Sequence, residues 1–99
     1  MEKKDWKLGT KAVQGEYWPG NAQARVSPIT MSTTYRYDTC EELASVFDLE
    51  QNTDMYTRLS NPTTDVFEKK VALMEGGVGA LATSSGMAAI STAVLNILK

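Results

Sequence analysis

The sequence predicts an α/β architecture: an irregular N-terminal arm, then the first helix–strand–helix unit of a domain built on a parallel sheet. Three observations predict it. Asn61-Pro62 opens an apolar stripe at helical spacing that Gly76-Gly77 stops. A short apolar run, Ala80-Leu-Ala-Thr83, then meets a small-residue turn at Ser84-Ser85-Gly86. An apolar run without a charge, from Met87 to Leu98, completes the unit.

Taken in order, residues 1–9 are polar and expected to be loose. Thr10 is placed to cap a single helical turn through Lys11–Gln14, which Gly15 ends. From Tyr17 to Tyr37 the chain is rich in Pro, Gly, Ser and Thr and shows no helical period, so it reads as an extended arm. Ile29–Tyr35 is the stretch within it that could form a short irregular strand. An irregular arm of that length is unusual inside a small compact domain. It is better explained if it lies across another part of a larger molecule.

Thr39-Cys-Glu-Glu42 has capping-box spacing: the threonine hydroxyl accepts the amide proton of Glu42, whose carboxylate can reach back to the Thr39 amide. Leu43, Val46, Phe47 and Leu49 supply an apolar face, predicting a short helix over 40–49. Gln51–Asp54 is a polar loop. Asn61 is a favoured N-cap, and Pro62 at the first helical position loses no needed hydrogen bond. Asp65 near the start and Lys69 and Lys70 further along follow the helix dipole. Phe67, Val71 and Met74 line one face. Ala80–Thr83 reads as a short buried strand. The Met87–Leu98 helix, apolar nearly all round, is expected to be buried on more than one side.

Bulk properties exclude several function classes. The chain has 99 residues, 42% hydrophobic, with a formal net charge of −2. That near-neutral balance gives no electrostatic reason to expect nucleic acid or an anionic membrane as partner. A lone Cys40 forms no internal disulfide and no cysteine cluster for zinc. There is no histidine, so neither Ser-His-Asp chemistry nor a His-ligated metal site can be built from this segment. No apolar signal core follows Met1–Asp5, and Met87–Leu98 is well short of the about 20 residues a membrane span needs. A cytoplasmic location is the expectation.

Two stretches carry chemistry. A strand running into Ser84-Ser85-Gly86-Met87 and then a helix leaves amide N–H groups pointing outward at the positive end of a helix dipole, a ready anion site. Gly86 lets an anion approach the backbone closely. Taken alone, the same turn is more often a plain strand-to-helix connection with serine as cap. No Gly-Lys-Ser/Thr follows, so it is not a Walker-type phosphate loop. Tyr56 and Arg58, spaced by two in an extended segment, would emerge on one face. Arginine offers a planar fork for phosphate oxygens and tyrosine a single O–H donor. Alone, that pair is more often an ordinary exposed loop pair.

In register, these motifs resemble one family: the pyridoxal-phosphate enzymes of cysteine and methionine metabolism. Tyr56-x-Arg58 ahead of Asn61-Pro62-Thr63, and Ser85-Gly86-Met87 later, match its two phosphate-binding elements in order and spacing. Glu75-Gly-Gly77, Ala82–Ser85 and Ala88–Ile90 fill the intervals, and Pro28-Ile29 with Ser32–Tyr35 resembles its N-terminal arm. The resemblance runs from about Thr10 to Lys99. It implies the arm plus the start of the large domain of the PLP-dependent transferase fold, aspartate aminotransferase-like, fold type I. In that scheme residues 1–60 are arm and short helices contacting a neighbouring subunit, and 61–99 open the PLP-binding domain.

It further implies pyridoxal 5'-phosphate as cofactor, bound by Tyr56, Arg58, Ser85, Gly86 and Met87. Tyr56 and Arg58 would reach the cofactor of the neighbouring subunit in a homodimer or homotetramer with shared active sites. The substrate class is a small amino acid. Val78–Leu81, Asp65–Lys70 and Thr10–Val13 look most like O-acetylhomoserine sulfhydrylases, which implies γ-replacement of acetate by sulfide or a thiol. Met87 departs from that pattern, which keeps methionine γ-lyase and the cystathionine γ-synthase and γ-lyase group open. No lysine here matches the family's Schiff-base lysine, so no catalytic residue is assigned within this segment. A reading of another class is a truncated, non-catalytic fragment.

Overall fold

Local signals set the helix ends, and the computed structural model, which describes residues 3–98, follows most of them. The stretch expected to be loose is instead partly helical: Lys3–Asp5 forms a 3-10 turn, and helix α1 spans Leu8–Gln14. Thr10 therefore lies inside α1 rather than at its cap; Lys7 precedes the helix with no side-chain cap. Gly15 ends α1 as expected, its N–H donating to the Lys11 carbonyl at 2.9 Å. Space is what demands glycine there, because a Cβ would collide with the Lys11 carbonyl oxygen and stand 2.9 Å from Leu73 Cδ2. The Lys70 ammonium donates to the carbonyls of Ala12 at 3.2 Å and Val13 at 3.4 Å, so it answers acceptors left open at the negative end of α1.

Helix α2 spans Cys40–Phe47. Half of the expected capping box is formed: the Glu42 amide donates to Thr39 Oγ1 at 3.1 Å. The helix stops two residues earlier than expected because Leu49 takes a left-handed conformation with φ 60°. Leu49 N donates to Val46 O at 3.1 Å and Glu50 N to Ser45 O at 2.9 Å, a Schellman closure with leucine where glycine is the usual occupant. Of the expected apolar face, Val46 is fully buried while Leu49 is exposed.

Helix α3 spans Pro62–Glu75, bounded as the sequence predicts. Asn61 Oδ1 accepts from the Thr63 amide at 2.9 Å, which caps the helix, and Gly76 leaves it at φ 68°. Helix α4 spans Gly86–Ile97, with Ser85 as N-cap accepting from the Ala88 amide at 3.1 Å.

Two expectations need correction. No strand forms over Ala80–Thr83. Strands are defined by a ladder to a neighbour, and no neighbour is placed beside this one; the Ala82 amide donates instead to the Glu68 carboxylate at 2.7 Å. Leu81 there is 71% exposed, not buried. Nor is α4 buried: Met87, Ile90, Leu95 and Ile97 are all exposed. Among the described residues the structure is helical, and β pairing is limited to an isolated antiparallel bridge between Thr34 and Tyr56. No helix among them is long and apolar enough to cross a membrane.

The chain divides into two compact units, one comprising Met1–Gly15 with Phe67–Lys99, the other Glu16–Val66. In the second unit the arm does not stand off from its own chain. Thr30 N donates to Thr63 Oγ1 at 2.8 Å, Thr63 Oγ1 donates to Pro28 O at 3.1 Å, and Thr57 N donates to Thr33 O at 2.9 Å. A polar clasp rather than an apolar core closes this unit.

Val46 is the single fully buried apolar side chain among the described residues. Burial of that kind contributes roughly 1.5–3 kcal/mol per large side chain. One such residue falls far short of the conformational entropy of ordering the chain. The isolated 99-residue chain is therefore expected to melt without a sharp transition and to bind a hydrophobic dye through its exposed α4. Differential scanning calorimetry and dye fluorescence check this; a cooperative heat-absorption peak with no dye binding would contradict it.

Candidate functional site

Tyr56 and Arg58 lie in the second unit, in a turn rather than the extended segment expected. Its carbonyl explains why: Tyr56 O accepts from Leu59 N at 2.9 Å and from Ser60 N at 3.0 Å, so the chain reverses immediately after the bridge to Thr34. The two side chains still meet, but through the turn and not through strand alternation. The Arg58 guanidinium carbon lies 5.5 Å from the centroid of the Tyr56 ring. That distance is within cation–π range, so the ring holds one flat side of the guanidinium. The N–H edges of Arg58 remain available, since its side chain is exposed. A stacked guanidinium beside a phenol O–H suits a doubly charged phosphate monoester: the fork supplies paired donors and the phenol a third.

Behind this pair stands Asn61, 5% exposed. Its Nδ2 lies within donating distance of Thr30 O at 3.1 Å, Tyr35 OH at 3.3 Å and Thr57 Oγ1 at 3.2 Å. Thr57 Oγ1 in turn donates to Ser32 O. The sequence marked Asn61 only as a helix cap. Its wider role was missed because three of its partners are distant or unremarkable in sequence; the sole local hint was a hydroxyl four residues earlier, at Thr57.

Ser85, Gly86 and Met87 lie in the first unit. Ser85 Oγ takes the Ala88 amide and Ser85 O takes the Ala89 amide at 3.2 Å, so both are satisfied. The amides of Gly86 and Met87, in the first turn, are the ones α4 itself leaves without an acceptor. Both residues are exposed. Gly86 does not take a left-handed φ, and a Cβ there would meet nothing within 4 Å. The chain therefore does not require glycine at this position for its own conformation. An added Cβ would project into open space beside the first turn of α4. Glu68 was not singled out by the sequence; through Ala82 N its carboxylate tethers the segment leading into this turn.

Among the described residues no cluster of acidic, histidine or cysteine side chains could hold a metal ion. Cys40 is free and exposed. The two candidate donor sets lie in different units, one built of side chains and one of backbone.

Residues 9–99 match the family described as Cys/Met metabolism PLP-dependent enzyme. O-acetyl-L-homoserine sulfhydrylase of Leptospira meyeri is 42% identical over 97 residues, 97% of this chain and 22% of its own length. L-methionine gamma-lyase of Fusobacterium nucleatum subsp. polymorphum is 41% identical over 99 residues, 100% of this chain and 25% of its own. Homocysteine/cysteine synthase of Kluyveromyces lactis is 45% identical over 73 residues, 74% of this chain and 16% of its own. The chain spans about a quarter or less of the length of these relatives.

Proposed function

The chain belongs to the Cys/Met metabolism PLP-dependent enzymes, and from that membership we propose that it supplies phosphate anchors for pyridoxal 5'-phosphate in an enzyme of γ-replacement. The observation that carries this is the stacked Tyr56–Arg58 pair in register with the family match. Arg58 provides the charge-assisted fork, Tyr56 the phenol donor, and the Gly86 and Met87 amides a neutral cradle, with the Ser85 side chain holding the helix start. When bound, the cofactor supplies the electron sink that such chemistry needs. These residues contribute anchoring and orientation and move no proton of the substrate. The two donor sets serve different copies of the cofactor, with Tyr56 and Arg58 reaching into the site of a neighbouring subunit in a homodimer or homotetramer.

In this reading residues 1–60 are the arm and short helices directed at that neighbour, and 61–99 open an α/β large domain of fold type I. Ala80–Thr83 joins a parallel sheet when partner strands lie beside it, and α4 then gains the cover its apolar faces lack. The substrate is an O-acylated homoserine whose acyl group leaves as sulfide or a thiol adds, as the name of the Leptospira meyeri relative suggests. A second reading, methionine γ-elimination, is favoured by the Fusobacterium nucleatum relative, which matches over 100% of this chain, and by methionine at position 87. Full-length protein assayed with O-acetyl-L-homoserine plus sulfide, and separately with L-methionine, decides between them. Homocysteine formation without 2-oxobutanoate supports the first; the reverse supports the second.

Two substitutions test the anchors in the full-length protein. Arg58→Ala is expected to weaken PLP binding by about 1.5–3 kcal/mol, the scale of a charge-assisted hydrogen bond. Titration of the apoprotein with PLP measures it, and unchanged affinity would remove Arg58 from the site. Gly86→Val is expected to leave a folded protein, since its Cβ meets open space, yet one purified with little PLP absorbance. Normal cofactor content in that variant would mean that the turn is only a connection.

A further inference from the structure

We propose that Thr57 and Asn61 are positioning residues for phosphate recognition: their shared hydrogen bond anchors the turn that presents Tyr56 and Arg58. The inference rests on the reading of Tyr56 and Arg58 as phosphate donors given above. Thr57 is the residue between the two donors, and both its N–H and its hydroxyl are committed to the clasp. Its N–H donates to Thr33 O at 2.9 Å. Its single hydroxyl proton goes to Ser32 O, which leaves Oγ1 as acceptor for Asn61 Nδ2 at 3.2 Å. Tyr35 OH, 3.3 Å from Thr57 Oγ1, must then be the donor in that contact while itself accepting from Asn61 Nδ2 at 3.3 Å. Asn61 Nδ2 faces three acceptors, Thr30 O, Tyr35 OH and Thr57 Oγ1, with two protons, so its donation is shared among them.

Mechanically, this matters because Tyr56 and Arg58 have no comparable anchors of their own. Arg58 is exposed and touches the Tyr56 ring, and the turn is closed by amides donating to the Tyr56 carbonyl. The backbone between the two side chains is tied to the arm at one point, Thr57. Asn61 is the buried end of that anchor, and it is fixed in turn by capping α3 through the Thr63 amide at 2.9 Å. A guanidinium presented without such an anchor would have to be ordered by the ligand, at the ligand's expense in affinity.

The test uses full-length apoprotein titrated with PLP, with the phosphorus NMR shift of the bound phosphate as a second readout. Thr57→Val keeps the shape and removes the hydroxyl; it is expected to weaken PLP about tenfold, equivalent to about 1.4 kcal/mol. Thr57→Ser keeps the hydroxyl and is expected to stay within about twofold of the parent. Combining Thr57→Val with Arg58→Ala should add little to Arg58→Ala alone, because Thr57 acts through Arg58 and Tyr56. Parental affinity and an unmoved phosphorus shift in Thr57→Val would overturn the inference, as would full additivity in the double variant. If Arg58→Ala itself binds PLP normally, the phosphate reading fails and takes the inference with it. Should Thr57→Val not fold, Tyr35→Phe carries the test, with an expected loss of about threefold from one removed hydroxyl and the same non-additivity with Arg58→Ala.

Discussion

Asn61 is the point on which the second unit depends. Its amide is nearly out of solvent, and it joins the arm at Thr30, the ring hydroxyl of Tyr35, the turn at Thr57 and the first turn of α3. Leaving one buried polar group unmatched costs about 1–3 kcal/mol, so a site with every donor and acceptor engaged is tightly specified. Apolar burial cannot serve this purpose here, because Val46 is the only fully buried apolar side chain among the described residues. Order in residues 16–66 is thus carried by polar contacts, which are directional. A directional clasp is well suited to presenting donor groups at a fixed angle, where a loosely apolar contact would permit sliding.

The two donor sets differ in what they need from the rest of the chain. The turn at Ser85, Gly86 and Met87 is built from local bonds: Ser85 Oγ accepts from Ala88 N, and Ser85 O accepts from Ala89 N and Thr83 Oγ1. Tyr56 and Arg58 need the arm, the bridge to Thr34 and the Thr57 anchor before their side chains stand together. The first rests on bonds within four residues, with Glu68 holding Ala82 just ahead of it. The second is sensitive to residues up to about thirty positions away in sequence, as the Asn61 bond to Thr30 illustrates.

That difference explains which features were legible beforehand. Most helix ends written in adjacent residues were read correctly: Thr39 caps α2, Asn61-Pro62 opens α3, Gly76 closes it, and a serine of the Ser84-Ser85 turn caps α4. Each depends on contacts within four residues. Apart from Thr10, which lies inside α1 rather than at its start, the misreadings involve a partner or a conformation that the local pattern does not encode. Ala80–Thr83 has strand-like composition but no neighbouring strand, so its Ala82 amide goes to Glu68. Tyr56–Arg58, expected in an extended segment that would put both side chains on one face, is a turn because two amides converge on the Tyr56 carbonyl. Leu49, apolar and at helical spacing, sits past the helix end in a left-handed conformation that leucine seldom adopts.

Helix α4 carries the last consequence of this division between local and distant order. Its start is fully specified by Ser85, yet its apolar side chains from Met87 to Leu98 remain exposed. Helical geometry alone therefore does not require the burial that its composition calls for, because backbone bonds and the cap are satisfied within the element. What burial would add is rigidity at the helix axis, and the direction of the free Gly86 and Met87 amides follows that axis. The Ser85–Met87 turn forms on its own local bonds, and the direction of its amides follows whatever fixes α4. Tyr56 and Arg58 stand in the opposite position: their aim is fixed by Thr57 and Asn61 within the unit that bears them, and their chemistry waits only on a ligand.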